Sequence, residues 1–280
     1  MNSNKSVDRY AVVGFPVKHS RSPFIHGLFA QQTGQQLEYQ LLEATPEHLN
    51  NEVTRFFSEG GKGLNITVPH KQAIMGLLDT CSQRARFAGA VNTVIKLPDG
   101  KLSGDNTDGV GLLKDLQYNL HFDLKNKRIL MLGAGGAARG VMVPLLEASP
   151  KELVVANRTI ERATRLVTEF ESLGPITAAS FNDLQHTPFD LIINATSASL
   201  QGEMPMLSPS VVGLNTLCYD MAYGKKDTVF TLWAKQLGTL QAVQGWGMLV
   251  EQAAEAFFLW RGIRPDTEPV LRILQNVAEQ

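Results

Sequence analysis

The sequence contains little of several features that define specialised classes of protein. It has only two cysteines, Cys81 and Cys218, which are too few for a disulfide scaffold and are not spaced as metal ligands. Its 24 glycines and 13 prolines are near average usage, which excludes collagen-like and low-complexity chains. The formal net charge of −1 offers no excess of positive charge for nucleic acid.

Long apolar segments are also lacking. No uncharged run approaches the ~20 residues that a membrane span requires. The first residues, MNSNKSVDR, contain no apolar stretch of the kind found in secretory signals. Few cysteines fit a reducing compartment. We therefore expect a soluble, cytoplasmic protein that binds neither membranes nor nucleic acid.

The chain instead alternates strand-like and helix-like segments along almost its whole length. Its 280 residues, at roughly 150 per domain, predict two domains that each build a core. Alternating strands and helices are typical of an α/β protein with mostly parallel pairing. Thr45 is expected to cap the helix that begins at Pro46, and Pro98-Asp99-Gly100 to form a hairpin turn. The predicted strands are residues 10–15, 37–44, 63–68, 90–97, 101–107, 128–132, 153–157, 189–195, 216–223 and 240–245. The predicted helices are residues 23–32, 46–58, 109–120, 160–170, 248–261 and 268–278, with one more from Gly136 on.

A cluster of glycines directly follows the buried strand predicted at 128–132. Gly133 allows a tight turn, Gly135 lets the backbone approach a pyrophosphate, and Ala138 lets the next helix pack on the strand. The helix N-terminus beyond supplies N–H groups and the positive end of a dipole. This strand–turn–helix context predicts a doubly wound, Rossmann-type dinucleotide-binding domain. The candidate cofactor-binding residues of the turn are Gly133, Ala134, Gly135, Gly136 and Ala137.

The end of the following strand indicates which dinucleotide is bound. An NAD site usually carries an acidic residue there, which grips the ribose 2′-hydroxyl. This chain has Asn157, Arg158 and Thr159 instead, with Arg162 one turn into the helix. A guanidinium group can bind a 2′-phosphate, so we predict NADP(H). The alternative is an ordinary helix start with solvated arginines.

Four polar segments precede this motif, and each follows or interrupts a predicted strand. Open α/β sheets bind ligands at the carboxyl ends of their strands, so these segments are candidates for one site. Taken singly, each has a structural explanation: serines can cap a helix, asparagines can satisfy turns, and a lysine can be solvated. The segments are GFPVKHSRSP (14–23), NITVPHK (65–71), GAVNT (89–93) and GDNTDG (104–109).

Together these motifs make the sequence closely similar to the bacterial shikimate dehydrogenases. The resemblance extends from the first polar segment to MLVEQ at residues 248–252. It implies that Lys71 is the catalytic acid/base and that Asp108 is its partner. Reduction of a ketone by hydride leaves alkoxide charge, which requires such a proton donor.

The resemblance also assigns roles to the other polar positions. It implies that Ser20 and Ser22 bind the substrate carboxylate and that Tyr223 faces the substrate. The residues expected to bind ring hydroxyls are Thr67, Asn92, Asp108 and Gln252, and those expected to line the nicotinamide pocket are Met221 and Gly245.

The chain departs from the family pattern at a few positions. Lys225 and Lys226 follow Gly224 where a proline is common, and His70 stands where phenylalanine is more usual.

No metal is expected, because the step needs none and the six histidines show no ligand spacing. His19 adjoins the serine pair, and we favour a packing or loop role for it.

The expected activity is therefore the NADP-dependent, reversible reduction of 3-dehydroshikimate to shikimate. One alternative is a quinate/shikimate dehydrogenase of broader substrate and cofactor use, and another is a non-catalytic NADP-binding regulator. We expect a substrate-binding and catalytic domain at 1–107, completed by C-terminal helices at about 247–280, and an NADP-binding domain at 108–246. The partners are the small-molecule substrate and cofactor, and the chain is expected to be a monomer or a homodimer.

Overall fold

The computed structural model describes residues 7–184, 187–196, 198, 202–239 and 241–279, with side chains through residue 276. Residues 1–6 belong to the N-terminal segment that is expected not to be a secretory signal, and they lie outside the described residues. Leu240, at the start of one predicted strand, does so too. The chain forms two compact units. The first contains the residues up to Gly111 together with Val250–Val270, and the second contains Leu112–Leu249 with the residues from Leu271 on. Residues from Leu271 on were expected in the first domain, and the assignment of domains by function stays a prediction.

A mixed sheet of six described strands lies at the centre of the first unit, in the order β2-β1-β3-β5-β6-β4. Strands β1, β2 and β3 run parallel, and so do β4 and β6, whereas β5 is antiparallel to both β3 and β6. The predicted hairpin is therefore present, joined through residues 97–101. The strands are β1 (Asp8–Gly14), β2 (Leu37–Glu43), β3 (Gly63–Ile66), β4 (Thr80–Cys81), β5 (Thr93–Lys96) and β6 (Leu102–Asp105).

Helices α1 (Ser22–Thr33), α2 (Leu49–Ser58) and α3 (Gln83–Ala88) belong to the same unit. Helix α2 buries Leu49, Val53, Phe56 and Phe57, which the period of 3.6 residues places on one face. Thr45 occupies the predicted N-cap position, with Pro46 directly after it, but its side chain makes no capping hydrogen bond. Residues 46–48 form a 3₁₀ turn, and the Thr45 hydroxyl bonds to the His48 ring at 2.9 Å rather than to a backbone N–H. Strand β4 and helix α3 are too short to show a period in the sequence.

The second unit contains a sheet whose six described strands all run parallel, in the order β12-β11-β10-β7-β8-β9. This is the doubly wound order, with its topological switch point between β7 and β10. Strand β7 is buried on both faces, and its apolar run accordingly shows no alternation. The predicted Rossmann-type fold is confirmed. The strands are β7 (Arg128–Leu132), β8 (Glu152–Ala156), β9 (Ile176–Ala179), β10 (Leu191–Asn194), β11 (Leu217–Asp220) and β12 (Gln241–Gln244).

The remaining helices are α4 (Asp108–Lys114), α5 (Gly136–Glu147), α6 (Ile160–Phe170), α7 (Val229–Gln236), α8 (Trp246–Arg261) and α9 (Glu268–Glu279). Helix α4 continues as a π-helical turn at Asp115–Asn119. In that turn the buried Asp115 accepts hydrogen bonds from the Tyr219 hydroxyl at 2.6 Å and from Asn119 at 2.9 Å. Burial raises the pKa of Asp115 above its ordinary value. Among the described residues, no helix is both long enough and apolar enough to cross a membrane.

Two adjacent phenylalanines of α8 provide a matched test of its buried face. Phe257 is 0% exposed and packs edge-on against Phe29, whereas Phe258 is 41% exposed. Phe257→Ala is expected to lower the free energy of unfolding by about 3–5 kcal/mol, through lost burial and a cavity. The control Phe258→Ala should lower it by less than about 1 kcal/mol. Urea denaturation followed by circular dichroism measures both, and equal losses would contradict this orientation of the helix.

Candidate functional site

Lys71 and Asp108 meet in the first unit, as the resemblance implies. Lys71 Nζ donates a hydrogen bond to Asp108 Oδ2 at 2.6 Å. Lys71 lies after the turn that follows β3, and its backbone carbonyl accepts a hydrogen bond from the Val91 N–H at 2.7 Å. Asp108 is the first residue of α4. The lysine side chain is 31% exposed and the carboxylate 15%. The pair is therefore sheltered but still accessible to a small molecule.

His70 supports this turn from the buried side. It is 1% exposed, and its ring Nε2 lies 2.7 Å from the Ala44 carbonyl oxygen, at the end of β2. The backbone N–H of His70 donates to the Thr67 carbonyl at 2.9 Å. The chain thus uses a hydrogen-bonding residue where the family more often has phenylalanine. Exposed His19 lies outside this network.

Asn92 holds the other oxygen of the carboxylate. The Asn92 Nδ2 group, which is almost fully buried, lies 2.8 Å from Asp108 Oδ1, 2.9 Å from Thr107 Oγ1 and 3.3 Å from Gln252 Oε1. Its Oδ1 accepts from the Thr107 N–H at 2.8 Å. Asn92, Asp108 and Gln252 are therefore brought together, with Gln252 supplied by α8.

The serine pair occupies the start of α1. Ser20 Oγ donates to Ser22 Oγ at 3.2 Å and accepts the Ser22 N–H at 3.3 Å. The N-cap residue is Arg21, whose side chain makes no capping bond. The two hydroxyls are thus adjacent, as a carboxylate site requires, and neither serine occupies the N-cap position. Thr67, immediately after β3, is partly buried.

Sequence reasoning missed Tyr39, which connects the serines with Asn65. The Tyr39 hydroxyl donates to Asn65 Oδ1 at 2.6 Å, and Asn65 Nδ2 donates to the Asn92 carbonyl at 3.1 Å. Burial raises the pKa of Tyr39, while a hydrogen bond with Ser22 opposes that rise. The ring stacks on buried His26 at 4.4 Å between centroids. The signal in the sequence was weak, because a tyrosine in a strand is ordinary.

Arg84 fixes the segment that ends in Asp108. It binds Asp105 through two nitrogens at 2.6 and 2.8 Å, and the Ser82 hydroxyl donates to the same carboxylate at 2.6 Å. Burial raises the pKa of Asp105, but the bonds from Arg84 and Ser82 outweigh it and hold the pKa below its usual value. Arg84 also contacts Glu255 of α8 at 3.3 Å. No sequence pattern predicted this network, because Arg84 is far from Asp105 and Glu255 along the chain.

The glycine turn of the second unit has the form that a dinucleotide requires. Gly133 has a φ of 97°, and a Cβ there would lie 3.1 Å from Thr196 Cγ2, so only glycine fits without strain. Gly135 and Gly136 face open space, since a Cβ added to either would have no neighbouring atom within 4 Å. The N–H groups in the first turn of α5 have no acceptor within the helix. The chain therefore offers a pyrophosphate an open cradle of backbone donors, which also includes Ala134 and Ala137.

The end of β8 presents cationic side chains beside this cradle. Arg158 and Arg162 are exposed, whereas Arg139 of α5 pairs with Glu169. The side chain of Asn157 forms a hydrogen bond within its own segment, since its Nδ2 donates to the Thr159 carbonyl at 2.8 Å. The two arginines are thus presented to solvent, as a 2′-phosphate site would require.

The candidate nicotinamide-pocket residues lie at the ends of β11 and β12. The Gly245 N–H donates to the Ala222 carbonyl at 3.1 Å, and a Cβ on Gly245 would lie 2.6 Å from the Met221 oxygen. The ring of Tyr223 packs on that of Trp246 at 4.7 Å. Residues 221–223 were predicted as part of a strand, but β11 ends at Asp220 and they form a loop.

Comparison with known proteins gives consistent results along the chain. Residues 12–94 match the model of the shikimate dehydrogenase substrate binding domain. Residues 115–202 match that of shikimate / quinate 5-dehydrogenase, and residues 245–275 that of the shikimate 5′-dehydrogenase C-terminal domain.

Individual relatives cover almost the whole sequence. The shikimate dehydrogenase (NADP(+)) of Aeromonas salmonicida is 56% identical over 270 residues, which are 96% of this chain and 98% of that protein. The crystal structure of an Ael1 enzyme from Pseudomonas putida has a TM-score of 0.91 at 47% identity, over 95% of this chain and 98% of that one. The shikimate 5-dehydrogenase of Thermus thermophilus, in complex with NADP(H) and shikimate, has a TM-score of 0.86 at 34% identity, over 97% of this chain and 100% of that one.

Arg84 and Arg86 lie on the same short helix and provide a test of the network. Arg84→Met leaves Asp105 buried without its cation, which is expected to cost about 3–5 kcal/mol of unfolding free energy. Arg86 is exposed and its side chain donates to the Cys81 carbonyl, with no buried carboxylate paired to it among the described residues, so Arg86→Met should cost less than about 1 kcal/mol. Chemical denaturation measures both values. A small loss for Arg84→Met would show that the network does not hold this segment.

Proposed function

This chain belongs to the shikimate dehydrogenase family, and we propose that Lys71 and Asp108 perform the acid–base step of its reaction. The reaction is the predicted one, the NADP-dependent, reversible reduction of 3-dehydroshikimate to shikimate, and the chain is an oxidoreductase. The observation that carries the proposal is the 2.6 Å contact between Lys71 Nζ and Asp108 Oδ2.

Lys71 is the proton donor for reduction. Bound NADPH supplies the hydride that reduces the ketone carbon. The Lys71 ammonium gives a proton to the oxygen as negative charge develops on it, and the neutral amine then takes a proton from solvent, which its 31% exposure permits. In the oxidation direction the neutral amine accepts the hydroxyl proton.

Asp108 orients Lys71 and carries part of the substrate-binding role. One oxygen holds the ammonium, and the other is fixed by Asn92 at 2.8 Å, so the carboxylate cannot rotate freely. A carboxylate in this position also accepts a hydrogen bond from a neighbouring substrate hydroxyl. Fixing these groups before substrate arrives lowers the entropic cost of reaching the reactive geometry.

The other polar side chains account for recognition of a polyhydroxylated acid. We assign the substrate carboxylate to the hydroxyls of Ser20 and Ser22, which donate charge-assisted hydrogen bonds. We assign the ring hydroxyls to Thr67, Asn92 and Gln252, and a substrate contact to Tyr223. The last assignment comes from the family resemblance.

The second unit supplies the residues for NADP(H). We assign the pyrophosphate to the turn at 133–137, and the 2′-phosphate to Arg158 and Arg162, with Asn157 and Thr159 beside them. Met221 and Gly245 are assigned to the nicotinamide pocket. These roles are supported by the open glycine turn and by two exposed arginines.

Neither alternative function is favoured. A regulator that only binds NADP would have no use for the Lys71–Asp108 pair, and a broader quinate/shikimate enzyme often able to use NAD is opposed by Asn157-Arg158-Thr159 at the end of β8. We also propose a cytoplasmic location and a monomeric or homodimeric state, both as predicted from the sequence.

Removal of the proposed proton donor tests the mechanism. Lys71→Ala is expected to lower kcat by ~10²–10⁴-fold with a smaller change in KM, because a general acid acts in the transition state. Loss of NADPH absorbance with 3-dehydroshikimate measures the rate. The control Lys62→Ala, at an exposed lysine after α2, should leave the rate unchanged. Near-normal turnover by Lys71→Ala would rule out this role.

Replacement of the exposed arginine tests cofactor selection. Arg158→Ala should reduce kcat/KM for NADPH by about 10-fold or more, because a charge-assisted hydrogen bond to the 2′-phosphate is lost. The value for NADH, which lacks that phosphate, should change little. Arg165→Ala, at an exposed arginine of α6 near Glu169, is the control. Equal losses with both cofactors would contradict the assignment.

A further inference from the structure

The loop that carries Tyr223 has no regular structure of its own. It runs from Met221 to Asp227, between β11 and the start of α7, and contains no proline. Lys225 and Lys226 are exposed on it. Its conformation must therefore come from side chains and backbone groups outside the loop.

Both ends of the loop are anchored to Asp220, the last residue of β11. Asp220 is 0% exposed. Its Oδ1 accepts the Ala222 N–H at 3.0 Å, and its Oδ2 accepts the Thr228 hydroxyl at 2.6 Å. These bonds fix where the loop leaves the sheet and where it enters α7. They do not fix the middle of the loop.

The middle of the loop is held by the side-chain amide of Gln244, at the end of β12. Gln244 Oε1 accepts the Gly224 N–H at 2.7 Å, and Gln244 Nε2 donates to the Lys226 carbonyl at 3.1 Å. One amide thus satisfies a backbone donor and a backbone acceptor two residues apart. A carboxamide can do this because it carries both kinds of group at one end.

The residues after Gln244 hold the same loop from a second side. The Gly245 N–H donates to the Ala222 carbonyl at 3.1 Å, and the ring of Trp246 packs on that of Tyr223 at 4.7 Å with an interplanar angle of 46°. Tyr223 itself is 37% exposed. Its ring is therefore accessible to a ligand, while the backbone of both neighbouring residues, Ala222 and Gly224, is held by hydrogen bonds.

We propose that Gln244 is a positioning residue that sets the conformation of the 221–227 loop and thereby presents Tyr223 to the substrate. Gln244 does not contact the substrate in this proposal. It acts through the bonds to Gly224 and Lys226, which follow Tyr223 closely in the chain. The proposal rests on the proposed function, in which Tyr223 contacts the substrate.

Three variants separate the bonds of Gln244 from its bulk. Gln244→Leu keeps a similar size and loses both bonds, and it should raise KM for shikimate about 10-fold. Gln244→Glu can still accept the Gly224 N–H but cannot donate to the Lys226 carbonyl, so it should have an intermediate effect. Gln241→Leu is the matched control, because Gln241 is an exposed glutamine on the same strand, and it should leave KM unchanged.

The affinity for NADPH provides an internal reference. Most of that affinity is assigned to the glycine turn after β7 and to Arg158 after β8, which are not part of the 221–227 loop, so the dissociation constant of NADPH should change less than about 2-fold in each variant. Fluorescence titration with NADPH measures it. A merely structural defect would instead lower both affinities and the melting temperature together, and would overturn the proposal.

A double-mutant cycle with Tyr223→Ala shows whether Gln244 acts through the tyrosine. In the Tyr223→Ala background, Gln244→Leu should change KM for shikimate by less than about 2-fold, against about 10-fold in the wild type. Additive losses would overturn the proposal while leaving Tyr223 in place. An unchanged KM in Tyr223→Ala alone would overturn both the role of the tyrosine and this proposal. Absence of wild-type activity with 3-dehydroshikimate would instead refute the proposed function.

Discussion

The contact between the Lys71 ammonium and the Asp108 carboxylate is the interaction on which the proposed acid–base chemistry of the first unit depends. A lysine proposed to give and take a proton has to be held in place, yet remain within reach of solvent and substrate. The carboxylate does the holding, and Asn92 prevents the carboxylate from turning away. Lys71 comes from the segment after β3, Asn92 directly precedes β5, and Asp108 begins α4. The strand order of the mixed sheet brings these three segments together.

Burial of Asp105, Asn92 and Asn65 around this contact is tolerated because each has a hydrogen-bond partner from another segment. Asp105 would be costly without Arg84, and Arg84 in turn reaches Glu255 on the helix that supplies Gln252. On the other side, Tyr39 and Asn65 continue the network toward the serine pair. The same hydrogen bonds therefore stabilise the fold and position the groups proposed to recognise substrate.

The second unit solves a different problem with backbone rather than side-chain groups. An all-parallel sheet aligns the carboxyl ends of its strands, and the glycine turn after β7 leaves room and N–H donors for a pyrophosphate. Selection of the ligand is proposed to come from side chains. The arginines after β8 are assigned to a 2′-phosphate, and Gln244 bonds to the loop beside the candidate nicotinamide-pocket residues. In this proposal, topology provides the site for the pyrophosphate, and a few surface residues provide the selectivity.

Local patterns along the chain were enough to predict the α/β alternation and the glycine turn, because these depend on periodicity and on a short motif whose residues stay adjacent in the fold. The pairing of Lys71 with Asp108, 37 positions apart, was instead implied by the resemblance to a known family. Such patterns did not reveal β4, α3 or the 3₁₀ turn at 46–48, which are too short for a period to appear. The contacts of Tyr39, Arg84 and Gln244 are apparent only in the tertiary structure. Their partners are distant in the sequence, 171 positions apart for Arg84 and Glu255, and no local pattern constrains residues that meet only after the strands have paired.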